Sequence, residues 1–237
     1  SRKKIKSITI MNICIIPARG GSKRIPKKNI YSFFDKPMIY WSIKAAQESK
    51  CFERIIVSTD DHEISNIAKN FGADVPFIRP KYLSDDLTPT QPVIKHAINW
   101  LEDSGLKYKY VCCIYATAPL LKANDICKSL EIISNSSDDI MLFSAASFSY
   151  PIERALTLNK EGFISMLYPE NINKRSQDLK ETFHDAGQFY WASSKRWVNE
   201  ANIFKLSKPY ILPRNRVQDI DNLEDLKHAE LLFKMNL

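Results

Sequence analysis

Residues 12–29 read NICIIPARGGSKRIPKKN: an apolar run ending in Pro17, then a loop with two adjacent glycines and five cationic side chains, Arg19, Lys23, Arg24, Lys27 and Lys28. An isoleucine-rich run stopped by proline predicts a strand over residues 12–16. In doubly wound sheets, ligands bind beyond the carboxyl ends of the strands, so the loop stands where an anion is commonly held. Gly20 and Gly21 allow positive φ and a close approach of backbone to anion, while Arg19, Lys23 and Lys28 can add charge-assisted hydrogen bonds. The loop matches neither common nucleotide fingerprint: G-x-x-x-x-G-K-[ST] is absent, and the six glycines form no G-x-G-x-x-G. Spacing alone leaves open a phosphate cradle, a solvated basic loop or a nucleic-acid patch.

Outward from this loop, β-rich runs at 54–58, 75–78, 110–115 and 140–144 alternate with helical patterns, as in βαβ units around a mainly parallel sheet. Ile64, Ile67, Ala68 and Phe71 recur at helical spacing before Gly72, and Ile94, Ala97, Ile98 and Leu101 do so before Gly105. Pro37 suits the first turn of a helix running to residue 49, and residues 123–134 and 222–235 supply two more. After residue 149, Leu156-Thr157-Leu158 and Phe163-Ile164-Ser165-Met166 flank Asn159-Lys160-Glu161-Gly162 and read as a hairpin. A strand pattern resumes at 188–191. We therefore expect one α/β domain over residues 11–237 with an excursion at about 146–186, and treat residues 1–10 as a leader or non-native segment.

Composition narrows the partners. The 237 residues are 44% hydrophobic and 26% charged, with net charge +7 and a pI near 9.0. That balance belongs to a globular chain and permits an anionic partner, nucleic acid or a small phosphorylated substrate. The most apolar stretch, residues 111–121, is interrupted by Thr117 and Pro119 and falls short of the ~20 residues of a membrane span. No secretory leader pattern appears. Five cysteines without a C-x-x-C pair read as reduced thiols in the cytoplasm. Cys112 and Cys113 are adjacent in a strand, so they face opposite sides and suit packing. His62, His96 and His228 lie on expected helices without metal-ligand partners. Asp219 and Asp221 flank Ile220: they are either dipole partners or caps of the helix that follows, or two carboxylates on one side of an extended segment, able to share a cation.

The full string IIPARGGSKRIPKKN resembles the N-terminal signature of the sugar-activating cytidylyltransferases, the N-acylneuraminate type in particular. The resemblance continues through Ile55-Ile56-Val57-Ser58-Thr59-Asp60, Ile78-Arg79-Pro80, Ala116-Thr117-Ala118-Pro119-Leu120 and Asp219-Ile220-Asp221. Within that family the chain is most similar to the branch acting on pseudaminic acid, a nonulosonic acid. Tyr150-Pro151-Ile152, Arg175-Ser176-Gln177-Asp178-Leu179 and His184-Asp185-Ala186-Gly187-Gln188-Phe189-Tyr190-Trp191 carry this likeness. Sialic-acid enzymes usually have Arg-Pro-Asn-Gly in place of His184-Asp185-Ala186-Gly187, Gln in place of Tyr115 and often Arg in place of Leu121.

The resemblance implies a Rossmann-like nucleotidyltransferase fold and transfer of CMP from CTP to the anomeric hydroxyl of a nonulosonic acid, releasing pyrophosphate. It implies nucleotide contacts at Ala18, Arg19, Gly20, Ser22, Lys23, Lys28, Asn29 and Arg79, with Arg19, Lys28 and Asp219 catalytic. Mg2+ would sit on Asp219 and Asp221; Asp219 could instead help deprotonate the sugar hydroxyl. Arg175, Gln177, His184, Asp185 and Gln188 would meet the sugar acid, and the 146–186 excursion would dimerise and complete a partner's sugar pocket. N-Acetylneuraminate, legionaminate and 3-deoxy-manno-octulosonate are the alternative sugars. Nucleic-acid binding is the rival from another class, disfavoured because the basic residues gather in one loop and no recognition motif is present.

Overall fold

The computed structural model describes residues 11–236; the reading of residues 1–10 lies outside the described residues. In chain order the elements are β1 (Asn12–Pro17), β2 (Ser32–Phe33), β3 (Lys36–Pro37), α1 (Met38–Ser49), β4 (Arg54–Ser58), α2 (His62–Asn70), α3 (Thr90–Asp103) and β5 (Tyr110–Ile114). There follow α4 (Ala123–Ser134), β6 (Met141–Ser147), β7 (Leu156–Leu158), β8 (Ile164–Met166), β9 (Phe183–Ser193), α5 (Ser194–Asn199), β10 (Ser207–Ile211) and α6 (Leu223–Met235).

Six strands form one sheet in the order β10-β6-β9-β5-β1-β4. β1 pairs parallel with β4 and β5, and β10 with β6, while β9 runs antiparallel between β5 and β6. The sheet is thus mainly parallel and flanked by helices, as the alternating pattern predicts. Both faces are covered, which is why the central strands β1 and β5 are apolar and buried at nearly every position. Cys14, Ile16, Val57, Cys112, Ile114 and Trp191 face the side of α1, α2 and α4, whereas Ile13, Ile15, Ile56, Val111, Cys113 and Tyr190 face that of α3 and α5. Cys112 and Cys113 accordingly serve opposite cores. A third cluster joins Ile25 of the basic loop, Phe33, Met38 and Ile220 to Leu226 and Ala229 of α6, so the C-terminal segment is packed against the loop.

Helix ends follow local chemistry. Asp61 caps α2 by accepting from Glu63 N at 2.7 Å and Ile64 N at 3.0 Å, and Gly72 takes a φ of 84° beyond its end. Asn222 and Asp225 form a capping box on α6.

The structure departs from the sequence reading most clearly in its strands. The strand expected at 75–78 does not form: only Asp74 bridges Ile56, and Pro76 then denies the ladder a donor. β10, with Lys208 and Pro209, escaped the pattern because an edge strand tolerates proline and exposed charge. β9 starts at Phe183, five residues before the expected 188, because a bulge opposite Phe143 and Ala145 interrupts its alternation. Ser144 Oγ stabilises that bulge by accepting from Gln188 N at 3.2 Å and Phe189 N at 3.1 Å. Between β6 and β9, β7 and β8 pair as the expected hairpin, a separate two-stranded sheet with Leu158, Phe163 and Ile164 exposed.

Candidate active site

The parallel strands β1 and β5 end at a cavity of about 470 Å³. Of the expected nucleotide contacts, Arg19, Ser22, Lys23, Lys28, Asn29 and Arg79 line it, together with Pro17, Thr88, Thr90, Tyr115 and Thr117. Ala18 is buried behind the lining, its N–H donating to Ser58 O at 2.9 Å.

The basic loop is anchored at several points. Asn29 is buried and donates from Nδ2 to Arg19 O at 2.9 Å, closing the loop on itself. Gly20 N donates to Asp60 Oδ1 at 2.9 Å. Neither Gly20 nor Gly21 has a positive φ, contrary to expectation; Lys27 takes the left-handed conformation, at φ 53°. What requires glycine at 20 is close packing on Asp61, while Gly21 has open space around it. Lys28 Nζ reaches across to Ile220 O at 2.7 Å and Asp221 Oδ1 at 3.4 Å. Arg24 meets the same carboxylate at 2.8 Å. Arg19 and Lys23 both pair with Asp86.

Arg79 is buried, its guanidinium donating to Ser58 Oγ at 3.1 Å, to Ser58 O and, more weakly, to Leu83 O at 3.4 Å. Burial pulls its pKa down to about 10, against the supporting charge of Asp60. It therefore fastens the segment after β4 as well as facing the cavity.

Ile220 is fully buried between Asp219 and Asp221, while Asp219 is exposed and Asp221 half-buried. Partial burial, then the charge of Asp221, raises the Asp219 carboxyl above the usual range; Asp225 and Asp185 add to this and Lys28 opposes it. Asp221 lines the cavity and is paired with Arg24 and Lys28, whereas Asp219 lies outside the lining. Among the described residues no group of three or more metal-ligating side chains gathers.

The expected sugar contacts are divided. His184, Asp185 and Gln188 all lie on β9, where Gly187 takes a φ of 62° and turns the site of its absent side chain toward Asp219, 3.9 Å away. Asp185 accepts from Gly187 N at 2.8 Å and Tyr190 Oη at 2.6 Å. Gln188 is buried, Nε2 donating to Arg216 O at 2.6 Å while its Oε1 has no partner. His184 packs edge-on against Phe148, ring centroids 5.0 Å apart. Arg175 is exposed on the excursion, paired with Asp178 at 2.7 Å, and Gln177 is exposed beside it.

Sequence reasoning missed Asp86, Thr88 and Thr90 as cavity residues. Their signal was present: Ser84-Asp85-Asp86-Leu87-Thr88-Pro89-Thr90 is a polar run three residues beyond Arg79-Pro80 that leads into α3.

A basic cavity at the carboxyl ends of parallel strands, within a mostly parallel sheet covered on both faces, defines a nucleotide-handling α/β protein. The chain belongs to the cytidylyltransferase family, whose model matches residues 13–209, and it is accordingly a nucleotidyltransferase. It is 47% identical over 227 residues to a pseudaminic acid cytidylyltransferase of Campylobacter jejuni, covering 95% of this chain and 97% of that one. It is 35% identical to a Helicobacter pylori protein described as a pseudaminic acid cytidylyltransferase and UDP-2,4-diacetamido-2,4,6-trideoxy-beta-L-altropyranose hydrolase, over 91% of this chain and 40% of that one. The solved structure of a CMP:2-keto-3-deoxy-manno-octonic acid synthetase complexed with CTP shares the fold, with a TM-score of 0.69 at 15% identity, covering 96% of this chain and all of that one. No helix among the described residues is long and apolar enough to cross a membrane.

Proposed function

We propose that the protein transfers CMP from CTP to the anomeric hydroxyl of pseudaminic acid and releases pyrophosphate. The observation that carries the phosphate chemistry is the convergence of Arg19, Lys23, Arg24, Lys28 and Arg79 on one cavity. The likeness over nearly the whole chain to the Campylobacter enzyme supports the sugar. In the reaction the sugar oxygen attacks the α-phosphorus and the bond to the β-phosphate oxygen breaks, so negative charge accumulates on the departing diphosphate. Arg19 and Lys23 neutralise that charge, Lys28 holds the α-phosphoryl group, and Ser22 and Asn29 orient the nucleotide.

A divalent metal, Mg2+ in this reading, fits Asp219 and Asp221, because Mg2+ is held by one or two carboxylates with substrate phosphates and water completing its shell. Bound there, it would supply Lewis-acid polarisation of phosphoryl oxygens. In this reading Asp219 is the alternative acceptor of the sugar proton. His184, Asp185 and Gln188 form the sugar side of the site, next to Asp219 across Gly187.

Arg175 and Gln177, remote from the nucleotide cavity, fit a sugar pocket completed by a second copy. The exposed Leu158, Phe163 and Ile164 support a homodimer built on the hairpin. Light scattering of purified protein tests this; a fully active monomer contradicts it. A cytoplasmic location, where CTP and reduced thiols are found, goes with the same reading.

Pyrophosphate release from CTP with a panel of sugar acids tests the proposal. Pseudaminic acid is expected to exceed N-acetylneuraminate by at least ~10-fold in kcat/KM, since one mismatched polar contact is worth that much. Equal or reversed values would reject this sugar, and absence of release with every sugar would reject the reaction.

A further inference from the structure

The loop between Leu83 and α3 places an anion inside the phosphate cradle. Asp85 shapes that loop, accepting from Leu87 N at 3.0 Å, Thr88 N at 2.7 Å and Thr88 Oγ1 at 2.7 Å. The turn delivers Asp86 into the cavity. One oxygen of Asp86 pairs with Arg19 and the other with Lys23, so a single carboxylate spans the two cations assigned above to the diphosphate.

We propose that Asp86 is a specificity-determining residue that stands in for the β- and γ-phosphates, so that only a ligand carrying a diphosphate competes with it. This rests on the reading of the cavity as a CTP site. Asp86 leaves the ground state without two unpaired cations in a cavity, yet it is cheap to displace, because solvent-exposed ion pairs contribute little. A triphosphate brings several charges to the same two cations and displaces it. A nucleoside monophosphate does not reach Arg19 and Lys23 and leaves Asp86 in place. After transfer Asp86 competes with pyrophosphate for the same cations and promotes its departure.

Calorimetric titration of CTP, pyrophosphate and CMP into wild type, Asp86→Asn, Asp86→Ala and Arg19→Ala tests this. Removing the carboxylate should tighten CTP and pyrophosphate by about tenfold, the scale of two exposed ion pairs, and leave CMP within about twofold. Pyrophosphate should become a correspondingly stronger product inhibitor. Unchanged or weaker CTP and pyrophosphate binding in both Asp86 variants would overturn the proposal, as would equal tightening of CMP, which marks a general charge effect. Arg19→Ala distinguishes the underlying reading: if it leaves CTP affinity unchanged, the cavity is not the CTP site and both readings fall. If it weakens CTP while the Asp86 variants fail to tighten it, only the role of Asp86 is lost.

Discussion

Gly20 is pressed against Asp61: a β-carbon on Gly20 would stand 2.7 Å from Asp61 Oδ2 and 2.9 Å from Asp61 Cβ. Asp61 caps α2 through its other oxygen, and the neighbouring Asp60 receives the Gly20 N–H. The cradle loop is thereby seated on the start of α2. Gly20→Ala should shift both, costing ~1–3 kcal/mol in urea unfolding through overpacking and a weakened cap, and should lower turnover. Unchanged stability would show that Asp61 swings away freely.

Lys28 spans from the cradle to the C-terminal segment, bonding Ile220 O. Lys28→Ala should leave a folded protein with turnover reduced ~10²-fold or more, the usual cost of removing one positioned donor to developing charge. A rate within a few-fold of wild type, measured by pyrophosphate release, would take Lys28 out of the chemistry.

Asp221 is held by Arg24 and Lys28 and flanks the α6 cap. An amide is a poorer ligand for a hard cation, so Asp221→Asn should move the Mg2+ activation midpoint to much higher concentration. If the Mg2+ titration is unchanged while thermal stability falls, Asp221 serves the helix instead.

Buried Asp125 and half-buried Arg216 form a bidentate pair, with Arg216 Nη2 3.2 Å from Asp125 Oδ1, and Arg216 O accepts from Gln188. Asp125→Ala leaves a half-buried guanidinium without its partner and should cost ~1–3 kcal/mol. Because Gln188 hangs on the same residue, KM for the sugar acid should rise more than KM for CTP. Chemical denaturation and steady-state kinetics check the two parts separately.

Burial, and then the Cys127 thiol 3.5 Å away, push the Cys51 thiol from its ordinary 9.0 up to about 11. Its alkylation by iodoacetamide should therefore accelerate near pH 11. The unfolded chain releases this proton near pH 9 and the folded one retains it, so the group's contribution is intact below pH 9 and is lost as pH rises toward 11. An inflection near pH 9 in the native protein would contradict the placement of Cys51.

Much of this molecule is decided by local sequence. The strand at 12–16, the helical repeats before Gly72 and Gly105 and the hairpin around Asn159-Lys160-Glu161-Gly162 are periodic and punctuated, and chain-local forces suffice to specify them. The basic loop was legible as a concentration of charge, but its spacing alone left a phosphate cradle, a solvated loop and a nucleic-acid patch all open. Tertiary structure decided what those charges meet. Asp86 lies 67 residues from Arg19 and Asp221 lies 193 residues from Lys28, and nothing in their own neighbourhoods names these partners. Pro76 and Pro209 both look like strand breakers, yet only Pro209 sits in a strand: Asp74 bonds β4 through its N–H and C=O, so the next residue required to donate to β4 is Pro76, which has no N–H. Gly20 looks chosen for backbone freedom, but the fold uses it for lack of a side chain against Asp61. Periodicity reports which face a residue turns toward the core. It cannot report which distant residue shares a cavity, since that depends on how the whole sheet and its helices pack.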